Sequence, residues 1–281
     1  MKMAVQQMML GSVCPDENKT LEVLKQIKVA GYEGIELNEY MIHPTPIFVR
    51  GLTKVSGMPS GNLGRYDWPK LLKESGLKAV SLHTDLDSLE KNFETIQADA
   101  RALHTDTLVI TAAYHYPFHK KDKVLELSDR LNACGARAKE NGLSLLYHNH
   151  NIEFMKVDEK RSAFDLLVKN TDPDFVNFEV DCFWAADAGK DPLKLLKKLR
   201  DRLKLIHVTD RGVRIFRTPI TPIVKYDSVE LGCGNLDIAG ILEYGKEKDL
   251  PYCVLESHRN WINGSPLDSI LLSGEFFKDK L

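Results

Sequence analysis

The chain has 281 residues, of which 43% are hydrophobic and 28% charged, so its length allows one large α/β domain or two average domains. A formal net charge of −2 gives no general attraction to phosphate backbones, and no apolar run approaches the roughly 20 residues needed to cross a bilayer. These features favour a soluble globular protein and make nucleic acid and membrane poor partner candidates.

The five cysteines indicate a reducing environment. They are odd in number, scattered and free of CxxC spacing, so neither a disulfide framework nor a zinc ribbon is indicated. The N-terminal stretch MKMAVQQMMLGSV lacks the long apolar segment and small-residue cleavage site of a signal peptide. We therefore expect a cytoplasmic protein.

Short strand-like runs alternate with helix-length segments along the whole chain. The predicted strands are residues 4–9, 34–37, 79–83, 107–112, 143–148, 176–181, 203–208 and 251–256. Amphipathic stretches lie between them, among them 19–29, 123–139 and 192–199. Eight such units predict an α/β protein with a (β/α)8 TIM barrel as a single domain over residues 1–281. A doubly wound sheet is the alternative, weakened because no GxGxxG turn follows the first strand.

Two segments are longer than simple connections require. They are residues 41–65 and 211–231, and both follow predicted strands. In a barrel both would therefore lie on the C-terminal face, where binding loops and lids are found. The alternative interpretation is a disordered surface excursion.

Polar side chains recur at the C-terminal ends of the predicted strands, which converge on one pocket in a TIM barrel. The strand ends carry Glu36, Asn38, His83, Asp85, His115, His148, His150, Glu153, Asp181, His207, Asp210, Glu256 and His258. Three successive apolar strands end in Asp181, His207 and Glu256. Such a mixed oxygen and nitrogen set suits Mn²⁺, Zn²⁺, Co²⁺ or Fe²⁺, and a histidine makes a site for Mg²⁺ or Ca²⁺ alone less natural.

The stretch LLYHNHNIEF supplies further candidates from the preceding strand. Strand alternation places His148 and His150 on one face, so both can point at the same pocket. Glu153 lies past the strand in the loop, from where it could reach back. Alternation alone does not decide which of the three side chains would bind a metal.

Six motifs follow one another along nearly the whole chain. They are TLEVLKQIKVAGYEGIEL, YHNHNIEF, the Asp181 motif of the sixth strand, HVTD, GCGNLD and the final LES. In this order they resemble the xylose-isomerase-like TIM-barrel superfamily, its sugar phosphate isomerase/epimerase group and, within that, a branch with a YHNH motif. The resemblance implies an Mn²⁺-like ion held by residues from the fifth to the eighth strands, with Asp181, His207 and Glu256 matching ligand positions.

The fourth ligand is open, because His148 stands where many members end the fifth strand with a glutamate. Either His148 replaces that glutamate or Glu153 reaches the ion, and Glu153 is favoured slightly because a third carboxylate would better balance a dication. A second departure is Thr209, which occupies the position of the lysine in the usual HvKD motif.

The resemblance also implies a reaction, the isomerisation or epimerisation of a keto sugar. A proton would be removed next to a metal-chelated carbonyl, with His150, Glu153 and His148 as candidates for moving it. The residues predicted to contact the carbohydrate are Glu36, His83, Trp184, Asp210 and His258.

Three alternatives use the same fold. The first is a 3-keto-glycoside lyase or hydratase with the same metal and base. The second is a phosphodiesterase of the endonuclease IV type, which the charge balance disfavours. The third is a non-catalytic sugar-binding barrel. The expected partner is a small-molecule carbohydrate, and the sequence leaves a homo-oligomer open.

Overall fold

The computed structural model describes residues 1–43, 66–111, 116–215 and 218–280. Its strands are β1 (Lys2–Gln6), β2 (Gly34–Asn38), β3 (Lys78–Thr84), β4 (Thr107–Ile110), β5 (Ser144–His148), β6 (Val176–Asp181), β7 (Leu203–Val208), β8 (Asp210–Gly212), β9 (Asp227–Val229) and β10 (Tyr252–Leu255). Eight of them form a closed barrel in the order β1, β10, β7, β6, β5, β4, β3, β2. The predicted (β/α)8 fold is confirmed. Strands β8 and β9 form a separate antiparallel pair.

Helices follow the strands along the chain. They are α1 (Glu17–Val29), α2 (Glu39–Ile42), α3 (Trp68–Ser75), α4 (Leu86–Lys91), α5 (Phe93–Ala102), α6 (Lys121–Glu140), α7 (Ala163–Asn170), α8 (Cys182–Asp187), α9 (Pro192–Leu199), α10 (Ile238–Glu247) and α11 (Pro266–Lys280). Aspartates begin many of them: the carboxylates of Asp16, Asp85 and Asp191 each accept the backbone N–H three residues on. In the described parts of the chain, no helix is long and apolar enough to span a bilayer.

The chain divides into two compact units, one of Met1–Val80 with His207–Leu281 and the other of Ser81–Ile206. In the first unit β1 pairs with both β2 and β10, and Gln6 lies opposite Glu36. In the second unit β3, β4, β5 and β6 pair in sequence order, and His148 lies opposite Glu179. The single domain expected over residues 1–281 stays a prediction.

The predicted strands lie close to the observed ones, with one clear error. The first strand ends at Gln6 rather than at residue 9, because Gln7–Leu10 form a 3₁₀ turn and the Gln6 side chain accepts the Met8 amide. Of the two long segments, residues 44–65 lie outside the described residues, as does His115. The described part of the other segment contains the last two residues of β8, all of β9 and the exposed side chains of Ile220 and Ile223 between them.

In the Ser81–Ile206 unit an aromatic layer separates the strands from the helices. The Tyr147 and Phe178 ring centroids lie 6.5 Å apart, and Phe164 of α7 lies 5.4 Å from Phe178. Because side chains alternate along a strand, Tyr147 and Phe178 face away from their neighbours His148 and Glu179. The apolar side chains thus pack towards the helices, and the ionisable ones occupy the opposite face of the sheet.

Candidate active site

Glu179 is the centre of a buried cluster in the Ser81–Ile206 unit. Its Oε2 lies 3.1 Å from Nε2 of His83 and 3.0 Å from Nδ1 of His148, and water reaches at most 3% of any of the three residues. The register explains the second contact, since Glu179 lies directly opposite His148 in the neighbouring strand. Each contact joins a ring nitrogen to the same carboxylate oxygen and therefore needs a proton between the two atoms.

Asp181 lies two residues further along the same face of β6. Its Oδ1 accepts the Trp184 amide at 2.7 Å and so caps α8. The Asn149 side chain holds the Asp181 backbone from both sides, accepting from its N–H and donating to its carbonyl, each at 3.2 Å. These contacts fix the position of the Asp181 carboxylate. One ligand atom of Asp181 and one of His148 lie within 4.8 Å of each other.

Glu153 belongs to the loop that follows β5, and both of its carboxylate oxygens are engaged there. Oε1 accepts the Tyr147 hydroxyl and Oε2 accepts the His150 amide, each at 2.9 Å. Burial raises the pKa of this carboxyl to about 7, against the lowering effect of these hydrogen bonds. Because Tyr147 points away from His148, these contacts argue against Glu153 as a metal ligand. They favour a role in holding the loop that carries His150.

The imidazole of His150 lies between His148 and Trp184. Its ring centroid is 5.0 Å from that of His148 and 6.1 Å from that of Trp184. His148 is buried, whereas His150 and Trp184 are partly exposed. The three rings therefore lead from the buried cluster towards solvent. This is a suitable position for a side chain that exchanges protons and for an aromatic face that stacks on a sugar.

The other unit holds a second buried cluster around His207. Nδ1 of His207 lies 2.9 Å from Oε2 of Glu256, and Nε2 lies 2.6 Å from Oε2 of Glu36. All three residues are buried. Each contact joins a ring nitrogen to an acceptor-only group and therefore needs a proton, so the three groups share at least two protons. The Thr209 hydroxyl, at the position of the family lysine, donates to the backbone carbonyl of Glu256.

The carboxylate of Asp210 accepts hydrogen bonds from backbone N–H groups and holds a turn together. Its two carboxylate oxygens accept the backbone N–H groups of Arg211, Gly232, Gly234 and Leu236 at 2.8 to 3.1 Å, and the residue is 1% exposed. The carboxylate thus fills the GCGNLD turn from within. These bonds argue against the predicted contact between Asp210 and substrate. They also agree with interpreting the turn as a tight loop rather than a phosphate cradle.

Most of the predicted site residues thus lie in or beside one of two buried clusters, one in each unit. His83, His148 and Asp181 share the buried face of one unit, with His150 and Trp184 beside them, and Glu36, His207 and Glu256 form the buried cluster of the other. His258 follows β10 and is partly exposed. Histidine nitrogens and carboxylate oxygens together suit a divalent ion of the Mn²⁺ or Zn²⁺ type, so the donor chemistry of both clusters fits the expected metal.

Sequence reasoning missed Glu179. The signal was present, because Glu179 and Asp181 in VNFEVD share one face of the strand by alternation. What the sequence did not contain was the register that sets Glu179 opposite His148.

Comparison with known proteins identifies the family. The model of the xylose isomerase-like TIM barrel matches residues 24–270. An inosose dehydratase of Clostridium tetani (strain Massachusetts / E88) is 24% identical over 177 residues, which is 58% of this chain and 57% of that protein. The chain spans just over half the length of such curated relatives.

Solved structures show the same fold at low identity. A sugar phosphate isomerase/epimerase from Parabacteroides distasonis ATCC 8503 has a TM-score of 0.76 and 20% identity, covering 99% of this chain and 93% of that one. An IOLI protein with a bound zinc atom has a TM-score of 0.69 and 16% identity, covering 99% and 97%. Since the family model accounts for most of its length, the chain belongs to the xylose isomerase-like TIM barrel family.

Proposed function

We propose that this protein is a divalent-metal-dependent enzyme that removes a proton next to the carbonyl of a ketone-bearing polyol. The observation that carries the proposal is the set of buried histidines and carboxylates at the ends of β5, β6, β7 and just after β10. In TIM-barrel enzymes the active site is built from the C-terminal ends of the strands. Burying so many ionisable groups is unfavourable unless they are paired or bind a metal.

The proposed ligands are Asp181, His207 and Glu256, with His148 as the fourth. His148 is preferred to Glu153 because the Glu153 carboxylate already accepts the Tyr147 hydroxyl and the His150 amide. Among Mn²⁺, Zn²⁺, Co²⁺ and Fe²⁺ we propose Mn²⁺, and the zinc atom of the similar IOLI protein supports a divalent ion of this group. When bound, such an ion would polarise the substrate carbonyl and stabilise negative charge that develops on its oxygen.

We assign the proton transfer to His150. Its ring lies beside the buried cluster and is partly exposed, so it can reach both substrate and solvent. Glu153 holds the His150 backbone amide and therefore acts as a positioning residue rather than as the base. The indole of Trp184, next to His150, provides a face for stacking on the apolar side of a sugar ring.

Two outcomes can follow the same proton abstraction. In a dehydration, the proton on the carbon next to the carbonyl goes to the base, the hydroxyl on the following carbon leaves as water after protonation, and a carbon–carbon double bond forms. In an isomerisation or epimerisation the proton returns to carbon instead. The inosose dehydratase relatives favour dehydration of a keto-cyclitol or keto sugar, and the isomerase or epimerase reaction predicted from the sequence is the second candidate.

Deuterium exchange tests the shared first step. Protein loaded with Mn²⁺ is incubated in D₂O with an inosose, L-ribulose or a 3-keto-glucoside, and the products are followed by NMR. We expect deuterium next to the carbonyl, and an unsaturated ketone if water is eliminated. His150→Gln should lower the exchange rate at least 100-fold, whereas His119→Gln, at an exposed histidine, should leave it unchanged.

No exchange on any ketone, with sugar binding retained, would contradict the proposed function and favour a sugar-binding barrel. Exchange that is equal in His150→Gln and the wild type would leave the reaction class intact but remove His150 from its role.

A further inference from the structure

We propose that the side-chain amide of Gln7 donates a hydrogen bond to a hydroxyl oxygen of the substrate. Gln7 belongs to a group of three neutral side chains at the C-terminal ends of β1 and β2, which we call the amide cluster and which consists of Gln6, Gln7 and Asn38. That the ligand is a ketone-bearing polyol rests on the proposed function. The donor itself rests on contacts within the unit of Met1–Val80 and His207–Leu281 alone.

The first argument is the position of the amide cluster. Gln6 ends β1 and lies directly opposite Glu36 of the parallel strand β2, so the two side chains share one face of the sheet. Asn38 ends β2 two residues after Glu36 and lies on the same face by alternation. Glu36 in turn contacts His207. The amide cluster therefore lies beside the buried cluster of this unit, at the strand ends where TIM-barrel enzymes bind their substrates.

The second argument is that contacts within the protein fix the orientation of these amides. Oε1 of Gln7 accepts the backbone N–H of Asn38 at 2.7 Å, and Oε1 of Gln6 accepts that of Met8 at 2.8 Å. Because an amide nitrogen does not accept hydrogen bonds, these backbone donors determine which end of each carboxamide is the oxygen. Nδ2 of Asn38 also donates to Oε1 of Gln6 at 2.9 Å. The amide cluster is thus held in place by its own hydrogen bonds.

The third argument is the donor that these contacts leave over. Nε2 of Gln7 is the end of the carboxamide turned away from the Asn38 N–H, and among the described residues it has no hydrogen-bond partner. Gln7 is 0% exposed, as are Glu36 and His207 of the buried cluster beside it. A buried amide N–H without an acceptor is unfavourable. An oxygen that binds there would remove this penalty.

The chemistry of Nε2 selects the kind of ligand. The nitrogen of an amide has two N–H groups and no lone pair to offer, so it does not bind a metal ion. The hydrogen-bond partners of Gln6 and Gln7 are backbone N–H groups and the Asn38 amide, none of which is charged. The site therefore suits a neutral oxygen of a polyol. Groups of this kind, few in number and well placed, fix the orientation of small ligands in pockets.

NMR of side-chain amides observes the proposed donor directly. ¹H–¹⁵N spectra of metal-free protein are recorded during titration with an inosose and, separately, with myo-inositol, a cyclitol that has no carbonyl. The pair of signals lost in Gln7→Met identifies the Nε2 protons of Gln7. We expect this pair to shift saturably as ligand is added, whereas the side-chain signals of Gln26, exposed on α1, should stay in place.

The affinity for the same ligands, measured by calorimetry, tests the contribution of the contact. Gln7→Met should bind about 10-fold more weakly, because it loses one hydrogen bond to the ligand. Gln26→Met makes the same change at an exposed glutamine and should bind like the wild type. Since Gln7→Met also removes the acceptor of the Asn38 N–H, its folding is checked by urea unfolding. If this variant does not fold, the titration of the wild type decides alone.

The competing occupant of the site is an ordered water that only satisfies the buried amide. In that case the Gln7 signals would stay in place while other signals report binding, and Gln7→Met would bind as tightly as the wild type. Either result would overturn the inference. Failure of both ligands to shift any signal of the wild type would overturn it as well.

The use of myo-inositol separates this inference from the proposed function, because binding of a cyclitol without a carbonyl requires no proton abstraction. A saturable shift of the Gln7 signals in a protein that exchanges no ketone proton would refute the proposed function and leave the role of Gln7 standing. Ketone exchange with unaltered Gln7 signals would refute the role of Gln7 and leave the proposed function standing.

Discussion

The buried carboxyl of Glu153 should make folding stability depend on pH in a way that one substitution removes. Its pKa is raised from 4.5 to about 7, chiefly by burial. At about 1.4 kcal/mol per pKa unit, the shift corresponds to about 3 kcal/mol. The folded protein holds this proton more tightly than the unfolded chain does. The protonated carboxyl therefore contributes this amount to the free energy of unfolding below pH 4.5, and the contribution is lost as the pH rises through 7.

Glu153→Gln removes the titration and keeps the contacts. The amide oxygen can accept the His150 N–H, and the amide nitrogen can donate to the Tyr147 hydroxyl. The free energy of unfolding of the variant, relative to wild type, should therefore rise by about 3 kcal/mol between pH 4.5 and pH 8. The free energy of unfolding of the variant should equal that of the wild type at the acid end of this range and exceed it at the alkaline end.

Urea unfolding of metal-free protein at a series of pH values measures this difference. Glu159→Gln, at an exposed glutamate nearby, is the control and should follow the wild-type curve at every pH. Parallel curves for wild type and Glu153→Gln would refute the reasoning, because they would mean that the folded and unfolded states hold the Glu153 proton equally well.

Three further predictions concern the loops and the metal. Asp210→Asn should lower the free energy of unfolding by about 1–3 kcal/mol in urea unfolding without changing Mn²⁺ affinity measured by calorimetry, since its carboxylate holds only backbone amides. Gly234→Ala should destabilise by roughly 1–3 kcal/mol in the same assay, because a Cβ there would collide with the Asp210 carboxylate. Arg214→Met should cost about 1.5–3 kcal/mol by removing the ion pair of the buried Glu230 carboxylate, which keeps its hydrogen bonds from the Ile262 amide and the Ser269 hydroxyl, and Arg214→Met combined with Glu230→Gln should recover much of that loss.

Much of the fold and the composition of the candidate site could be read from the sequence, because both follow from local patterns. Short β-branched runs located the eight barrel strands, and the polar residues that end those runs include His148, Asp181 and His207. The (β/α)8 connection then dictates that the strand ends share one face. None of these steps requires knowledge of which atoms touch.

The roles of individual side chains could not be read in this way, because they depend on partners that the sequence does not display. Asp210 and Glu153 resemble site residues in the sequence. In the structure their carboxylates accept hydrogen bonds from backbone N–H groups of turns, and the sequence does not predict the geometry of those turns. Glu179 was overlooked because its partner is fixed by strand register. The 3₁₀ turn after Gln6 was missed for a similar reason, since a side chain that accepts a backbone amide ends that strand.

Metal content tests the central claim most directly. Protein purified without added metal, then incubated with Mn²⁺ and desalted, is compared with Asp181→Asn and with Asp174→Asn at an exposed aspartate, by elemental mass spectrometry. The account predicts close to one equivalent of a divalent transition metal in the wild type and in Asp174→Asn, and a loss of most of it in Asp181→Asn. Absence of metal from all three proteins, or equal metal in all three, would contradict it.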